Sequence, residues 1–242
     1  MTNAEIKFVK SLAQKKFRDS EGFFVVEGEK MVAEALASRF TVEKVYRREE
    51  IGEAAMARIS ALSSPSPALA LVRRPDDLLR TDMPAKGLFL ALDGIRDPGN
   101  LGTILRIADW FGLDAVFASP DTVELFNPKV VQATMGAIFR VRFHYTEIPA
   151  FCAGVLATGG KVYGTFLDGE NLYQKALDNG SDAPSVIVIG NEANGISPAT
   201  AACVSERLCI PPYPADDPGS ESLNAAVATA VTVAEFRRRI NV

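Results

Sequence analysis

The sequence is poor in the residues that most metal and nucleophilic sites are built from. It holds one histidine and three cysteines in 242 residues. With His144 alone, in a segment (VRFHYTEI) that alternates like a strand, neither a Ser-His triad nor a histidine-rich metal site can be assembled. Cys152, Cys203 and Cys209 are odd in number and include no CxxC pair, so no disulfide framework or thiolate metal site is expected. They read as buried or incidental thiols of a reducing compartment. No apolar run reaches about 18 residues without a charge, which excludes an ordinary membrane-spanning helix. The opening MTNAEIKFVKSLAQKKF interleaves charge with apolar positions and lacks the apolar block of a signal peptide. A cytoplasmic location is the expectation. Also missing are the GxGxxG and GxxxxGK[ST] phosphate loops and any acidic pair spaced for metal-bound phosphoryl transfer. DPGNLG is only loosely like a dinucleotide turn, which counts against a nicotinamide dehydrogenase.

What is present is ordinary for a soluble chain with a sizeable core: 48% hydrophobic and 23% charged residues. The formal net charge of −4 argues against a non-specific basic coat for nucleic acid. Charge is nonetheless uneven. Lys7, Lys10, Lys15, Lys16 and Arg18 form a basic opening, and Arg237, Arg238 and Arg239 a basic close. By composition alone both are solvated helix faces.

Residues 1–18 read as one helix, with Ile6, Val9 and Leu12 near helical spacing. FFVV, VEKVYR and ALALV read as strands, with a second helical pattern at 27–38 and another helical stretch after VEKVYR, giving a small α/β domain over 1–74. The polar, proline-bearing stretch 75–86 reads as a linker. From 87 onwards strands and helices alternate. GLFLALD, AVFAS, RVRFHY, KVYGTFL, SVIVIG and LCIP are the strand candidates. Residues 100–111, 128–138, 148–157 and 222–239 are the helical ones. Such alternation implies a mostly parallel sheet covered by helices.

Ligands of open parallel sheets bind beyond the carboxyl ends of the strands, and three polar segments stand there. In LDGIRDPGNLGTILRIADWFG (92–112), Asn100 occupies a helix-cap position and Arg106 follows six residues on. A helix start with a nearby cation suits an anion such as an RNA phosphate. The plain alternatives are an N-cap and a surface arginine paired to Asp109 or another carboxylate. In VIVIGNEANGIS (186–197), a buried-type strand runs into Gly190, Asn191 and Glu192. An unpaired carboxylate there would be costly, which points to a partner: Ser197 or a neighbouring N–H group that it caps, or a cation such as Arg106. In CIPPYPADDPGSESLNAAVATAV (209–231), Ser220 or Ser222 reads as an N-cap with Asn224 one turn inside.

Taken together and in this order, the three segments resemble the motifs of the SpoU/TrmH family of RNA 2′-O-ribose methyltransferases, of the SPOUT class. The likeness covers 87–242. LFNPKVVQATMGAIFRV (125–141) is similar to the family's segment between motifs, with Gln132 where a basic residue is common. KKFRDSEGFFVVEGEKMVAEAL resembles, more loosely, its ribosomal-protein-like substrate-binding domain. The resemblance implies a parallel-sheet domain with a deep trefoil knot, S-adenosylmethionine as cofactor, no metal, RNA as substrate, and a homodimer pairing through the knotted domains. It places Asn100, Arg106, Glu192, Ser222 and Asn224 at catalytic positions, and Gly190, Ile210, Leu223 and Thr165 around the cofactor. Lys7, Lys15, Lys16, Arg18 and Lys129 are the expected RNA contacts. Two departures stand out: PYPADDPGSE lengthens the third motif, and Ala225-Ala226 replaces Val-Ser after the asparagine.

For the chemistry, the family's proposal makes Arg106 a general base for the 2′-hydroxyl, helped by an RNA phosphate and Ser222. A guanidinium with a pKa above about 12 is better suited to stabilise the developing alkoxide. Glu192 and Asn100 would then position it. Ribosomal RNA is favoured over tRNA because of the extra N-terminal domain; a tRNA ribose methyltransferase and a non-catalytic ribosome-assembly factor are the alternatives.

Overall fold

The computed structural model describes residues 1–75, 85–214 and 222–238. In chain order the elements begin with α1 (Asn3–Ser11), α2 (Lys15–Glu21), β1 (Phe23–Glu27), α3 (Glu29–Leu36), β2 (Val42–Arg47), α4 (Arg48–Ile51), α5 (Glu53–Ile59) and β3 (Ala68–Arg73). There follow β4 (Gly87–Asp93), α6 (Pro98–Trp110), β5 (Ala115–Ala118), α7 (Pro128–Ala133) and β6 (Phe143–Tyr145). The last are α8 (Ile148–Ala157), β7 (Lys161–Asn171), β8 (Pro184–Gly190), α9 (Pro198–Ala201), β9 (Glu206–Cys209) and α10 (Ala225–Arg238). Two compact units result: Met1–Asp76 with Glu124–Arg140, and Asp77–Val123 with Val141–Val242. Among the described residues no helix is long and apolar enough to cross a membrane.

The first unit is a three-stranded antiparallel sheet in the order β1-β3-β2. Side chains alternate across a strand, and both faces of this sheet are covered. Leu69 and Leu71 of β3 join Ile6, Val9, Leu12, Tyr46, Met56 and Ile59 in one cluster. On β1, Phe24 and Val26 are fully buried. Phe24 packs on Phe126 with ring centroids 4.5 Å apart, and Phe40 packs on Phe139 at 5.3 Å. The segment 124–140 therefore belongs to this core.

Two expected helices are broken. The helix expected over 1–18 is α1 plus α2, with a turn at Leu12, Ala13 and Gln14. Leu12 is fully buried at the break. Its carbonyl accepts from Arg18 Nη1 at 2.7 Å, so a side chain replaces the helical bond. The helix expected over 128–138 stops at Ala133: Met135 (φ 49°) and Gly136 (φ 97°) are left-handed, and a 3₁₀ turn follows over Ala137–Phe139. A Cβ on Gly136 would lie 3.1 Å from the Glu34 carboxyl carbon, so glycine also serves the close approach.

The second unit is a six-stranded sheet, parallel throughout its ladders, in the order β6-β5-β4-β8-β7-β9. Its central strands β4 and β8 are buried nearly end to end, as their continuous apolar runs predict. The chain steps outward from β4 to β5 and β6, then continues on the other side of β4. The reversal falls between β4 and β8, where open α/β sheets form their ligand crevice. The closing helix is shorter than expected, starting at Ala225. Its basic end serves the fold. Arg237 donates to the carbonyls of Phe111 (2.8 Å) and Gly112 (2.6 Å) at the C-terminus of α6, and Arg238 grips Glu235 through two 2.8 Å bonds. Arg239 lies outside the described residues.

Candidate active site

β4 and β8 run side by side with Asp93 opposite Gly190, so the loops after them emerge at one level. The first loop enters α6 through Asp97, whose carboxylate accepts the Asn100 N–H at 2.8 Å. Asp97, not Asn100, is thus the N-cap, and Pro98 fills the first helical position, where its missing N–H costs nothing. Asn100 keeps its side chain for another use. The second loop folds back on itself through a bridge between Asn191 and Gly195. A Cβ on Gly190 would fall 2.2 Å from the Gly195 backbone, so this turn requires glycine there. The third loop has farther to come. β9 lies three strands from β4, about 14 Å at ordinary strand spacing, yet α10 packs beside α6. Asn224 caps α10, its Oδ1 accepting from Ala226 N (2.9 Å) and Val227 N (3.3 Å). The expected cap Ser222 lies before it, and Ser220 falls outside the described residues.

The three loops meet in one directed chain of hydrogen bonds. Because Asn224 Oδ1 faces two N–H groups, its Nδ2 points outward and donates to Asn100 Oδ1 at 2.9 Å. Asn100 Nδ2 in turn donates to Glu192 Oε1 at 2.9 Å. Each amide is oriented by its neighbours, which fixes both flips. Glu192 also accepts from the backbone N–H groups of Arg96 and Asp97, at 3.4 Å each. Partial burial pushes its carboxyl up. The bonds from the Asn100 amide, from its own N–H and from Arg96 and Asp97 outweigh that, so it is held below the usual carboxylate range. Glu192 is exposed and amide-paired; of the two expected kinds of partner, the structure has neighbouring N–H groups and not Arg106. A fixed carboxylate, two oriented amides and a helix N-terminus form a polar platform beside the sheet's switch point.

That geometry can be set beside known proteins. Residues 87–234 match the SpoU rRNA Methylase family. The chain belongs to that family. Residues 3–64 match the MRM3-like substrate binding domain. Among similar proteins, the 23S rRNA (guanosine(2553)-2′-O)-methyltransferase RlmP of Bacillus subtilis is 32% identical over 97% of this chain and 96% of its own length. A TrmH-family protein from Porphyromonas gingivalis superposes with a TM-score of 0.85 at 37% identity, covering 99% of each chain. An AdoMet-bound rRNA methyltransferase from Sinorhizobium meliloti superposes at 0.88 with 28% identity, covering 100% of this chain and 97% of that one.

Within this SpoU unit the remaining expected residues are dispersed around the platform. Arg106 lies on the exposed face of α6, while the Glu192 and Asn100 bonds described above go elsewhere. Ser222 and Leu223 are exposed immediately before Asn224. Gly190 ends β8, Ile210 follows β9 half-buried, and Thr165 on β7 donates to the Val188 carbonyl at 3.3 Å. His144 sits on β6, its ring 5.5 Å from that of Phe117, and Cys152 is buried, its thiol pushed up to about 12 by desolvation. In the first unit Lys7, Lys16 and Lys129 are exposed, and Lys15 pairs with Asp19 at 2.7 Å. Arg18 is a correction. It is 2% exposed, bonded to Leu12 and paired with Glu124, so it is a core residue and not an RNA contact.

Sequence reasoning passed over Asp97, whose signal was an acidic residue just before Pro98. It also passed over two ties between the first and second loops: Asp93 accepting from Ser197 N (2.8 Å) and Asn191 donating to the Gly94 carbonyl (2.6 Å). No local pattern announces those.

Proposed function

We propose that this chain transfers a methyl group from S-adenosylmethionine to a ribose 2′-hydroxyl of structured RNA, with ribosomal RNA as its substrate. The observation that carries the reading is the hydrogen-bond chain from Asn224 through Asn100 to Glu192, which unites all three motif loops of a SpoU family member. Its relatives named above as acting on rRNA and as AdoMet-bound support the choice of substrate and cofactor. RNA is preferred to DNA because only RNA carries the 2′-hydroxyl.

The residues present fit the cofactor. Gly190 ends β8, Ile210 follows β9 half-buried, and Leu167 of β7 and Leu223 just before α10 are 77% and 50% exposed. Exposed apolar surface suits an adenine ring. Gly190, Ile210, Leu223 and Thr165 would hold it there. When bound, S-adenosylmethionine supplies an already activated methyl group, so the protein's task is alignment. Arg106 grips RNA phosphate and stabilises the developing alkoxide, Ser222 assists it, and ionised Glu192 with Asn100 and Asn224 holds the loops in register.

The same reading assigns residues 1–74 to RNA recognition through Lys7, Lys15, Lys16 and, from the returning segment, Lys129. It assigns 87–242 to a knotted catalytic domain that pairs with a second copy in the cytoplasm. The expected linker at 75–86 falls mostly outside the described residues. Incubation with labelled S-adenosylmethionine and ribosomal RNA or tRNA tests the proposal, with the product mapped to its nucleotide. Label in a ribose of ribosomal RNA is expected, and its loss in Arg106→Ala with cofactor binding retained. No transfer to any RNA, or full activity of Arg106→Ala, overturns it.

A further inference from the structure

We infer that Asn191 is a positioning residue for methyl transfer, latching the loop that carries Glu192 onto the loop that carries Asn100. The inference rests on the methyl-transfer reading above for its catalytic consequence and on geometry for the latch itself.

Asn191 uses both ends of its side chain. Its Oδ1 accepts from Ala193 N (2.9 Å) and Asn194 N (3.2 Å), which closes the turn of its own loop. That leaves Nδ2 to face the other loop, where it donates to the Gly94 carbonyl at 2.6 Å. Gly94 presents this carbonyl from a left-handed conformation, φ 76°. Its surroundings leave little slack: a Cβ there would lie 3.2 Å from Asp121 Oδ2 and 3.9 Å from Asn191 Cβ. Two and three residues beyond Gly94, the N–H groups of Arg96 and Asp97 reach the Glu192 carboxylate. Those are long bonds, and Glu192 is exposed. The shorter tie next to them, through Asn191, sets the spacing over which they act. Asp93 to Ser197 supplies a tie at the base of the loops, and Asn191 supplies the one beside the carboxylate. The asparagine amide does both at once, its oxygen accepting two N–H groups while its NH2 donates to a carbonyl.

Aspartate at this position separates the two roles. Its carboxylate keeps the acceptors for Ala193 and Asn194 but has no hydrogen for Gly94 O. The charged groups bordering the site are Asp93, Asp97, Asp121, Glu192 and Arg96, and Arg96 is paired with Asp121 at 3.6 Å. The carboxylates disfavour its charged form while the two retained N–H donors favour it, so the new acid is ionised at pH 8. In Asn191→Asp we therefore expect kcat to fall roughly 10–100-fold at pH 8, the scale of a small misplacement of a reacting group. Asn191→Ala, which loses the acceptor as well as the donor, should show at least the same deficit. Cofactor affinity should change by less than about threefold in Asn191→Asp, since Gly190, Ile210, Leu223 and Thr165 are untouched. Amide hydrogen exchange over residues 93–100, measured on the same full-length proteins, should quicken in both variants while β5 is unchanged. Unaltered exchange there removes the latch, whatever the activity. Quickened exchange with wild-type kcat removes its catalytic role. Wild-type kcat in Asn191→Asp beside a deficit in Asn191→Ala removes the role of the donated hydrogen. If the unaltered protein methylates no RNA, the activity reading fails by itself and the exchange data alone decide on the latch.

Discussion

Arg18 separates a structural from an RNA-contacting role, and Arg18→Met tests it. The guanidinium is 3% exposed and its partner Glu124 is 13% exposed. Nε lies 3.1 Å from Glu124 Oε2, Nη2 makes a second contact with the same oxygen, and Nη1 holds the Leu12 carbonyl. Methionine fills most of the volume but leaves a desolvated carboxylate and an orphan carbonyl. Breaking such a pair from one side costs about 3–5 kcal/mol. The carbonyl's share is part of the same loss and is not added to it. In a chain of this size each kcal/mol moves Tm by roughly 2–4 °C, so the chain's calorimetric transition should drop by roughly 6–20 °C. Removing both charges in Arg18→Met/Glu124→Leu should recover most of the loss, because no ion is then left stranded. The reasoning is refuted if Arg18→Met melts within about 2 °C of the unaltered chain, or if the double variant melts no higher than the single one. An RNA contact would behave differently, raising KM for RNA with no change in Tm.

In Asn100→Asp the new carboxylate faces Glu192 in place of an amide donor. Initial-rate assays should show kcat lowered by about 10–100-fold, the scale set by losing a hydrogen bond to a charged group worth about 1.5–3 kcal/mol; wild-type kcat would contradict the relay. Glu192 gives a pH expectation. Its folded pKa is depressed, so its stabilising contribution is fully present above the unfolded value near 4.3. That contribution is lost only as pH falls through the lower folded value. NMR titration of its side-chain carboxyl should find the midpoint below that of Glu192 in the urea-unfolded chain; a midpoint at or above it would contradict the assigned hydrogen bonds.

The second unit's strands were legible because burial on both faces writes itself as uninterrupted apolar residues. GLFLALD is β4 residue for residue, and the helix expected over 148–157 is α8. The N-cap of α6 was misassigned because Asp97 and Asn100 are both competent caps, and Pro98 was the tie-breaker left unused. The Thr2–Glu5 capping box on α1 was likewise readable as T-x-x-E. The break at Leu12 was not readable, since the group that completes it is held by Glu124, more than a hundred residues on. The trio Asn224, Asn100 and Glu192 was found as three separate loops. Its internal pairing was not, because Asn100 to Glu192 and Asn224 to Asn100 are set by strand order. Arg106 looked like the natural partner for Glu192 on charge alone, and the backbone placed an amide there instead.

The membership of residues 124–140 in the first core has a practical meaning for anyone who treats that core as a module. Cutting the chain at the apparent boundary near residue 75 would strip Phe24 of the Phe126 ring, Phe40 of Phe139 and Arg18 of its counter-ion. A recognition unit grafted onto another enzyme has to bring that returning segment with it. Moving this unit between family members is therefore a two-cut graft and not a simple fusion.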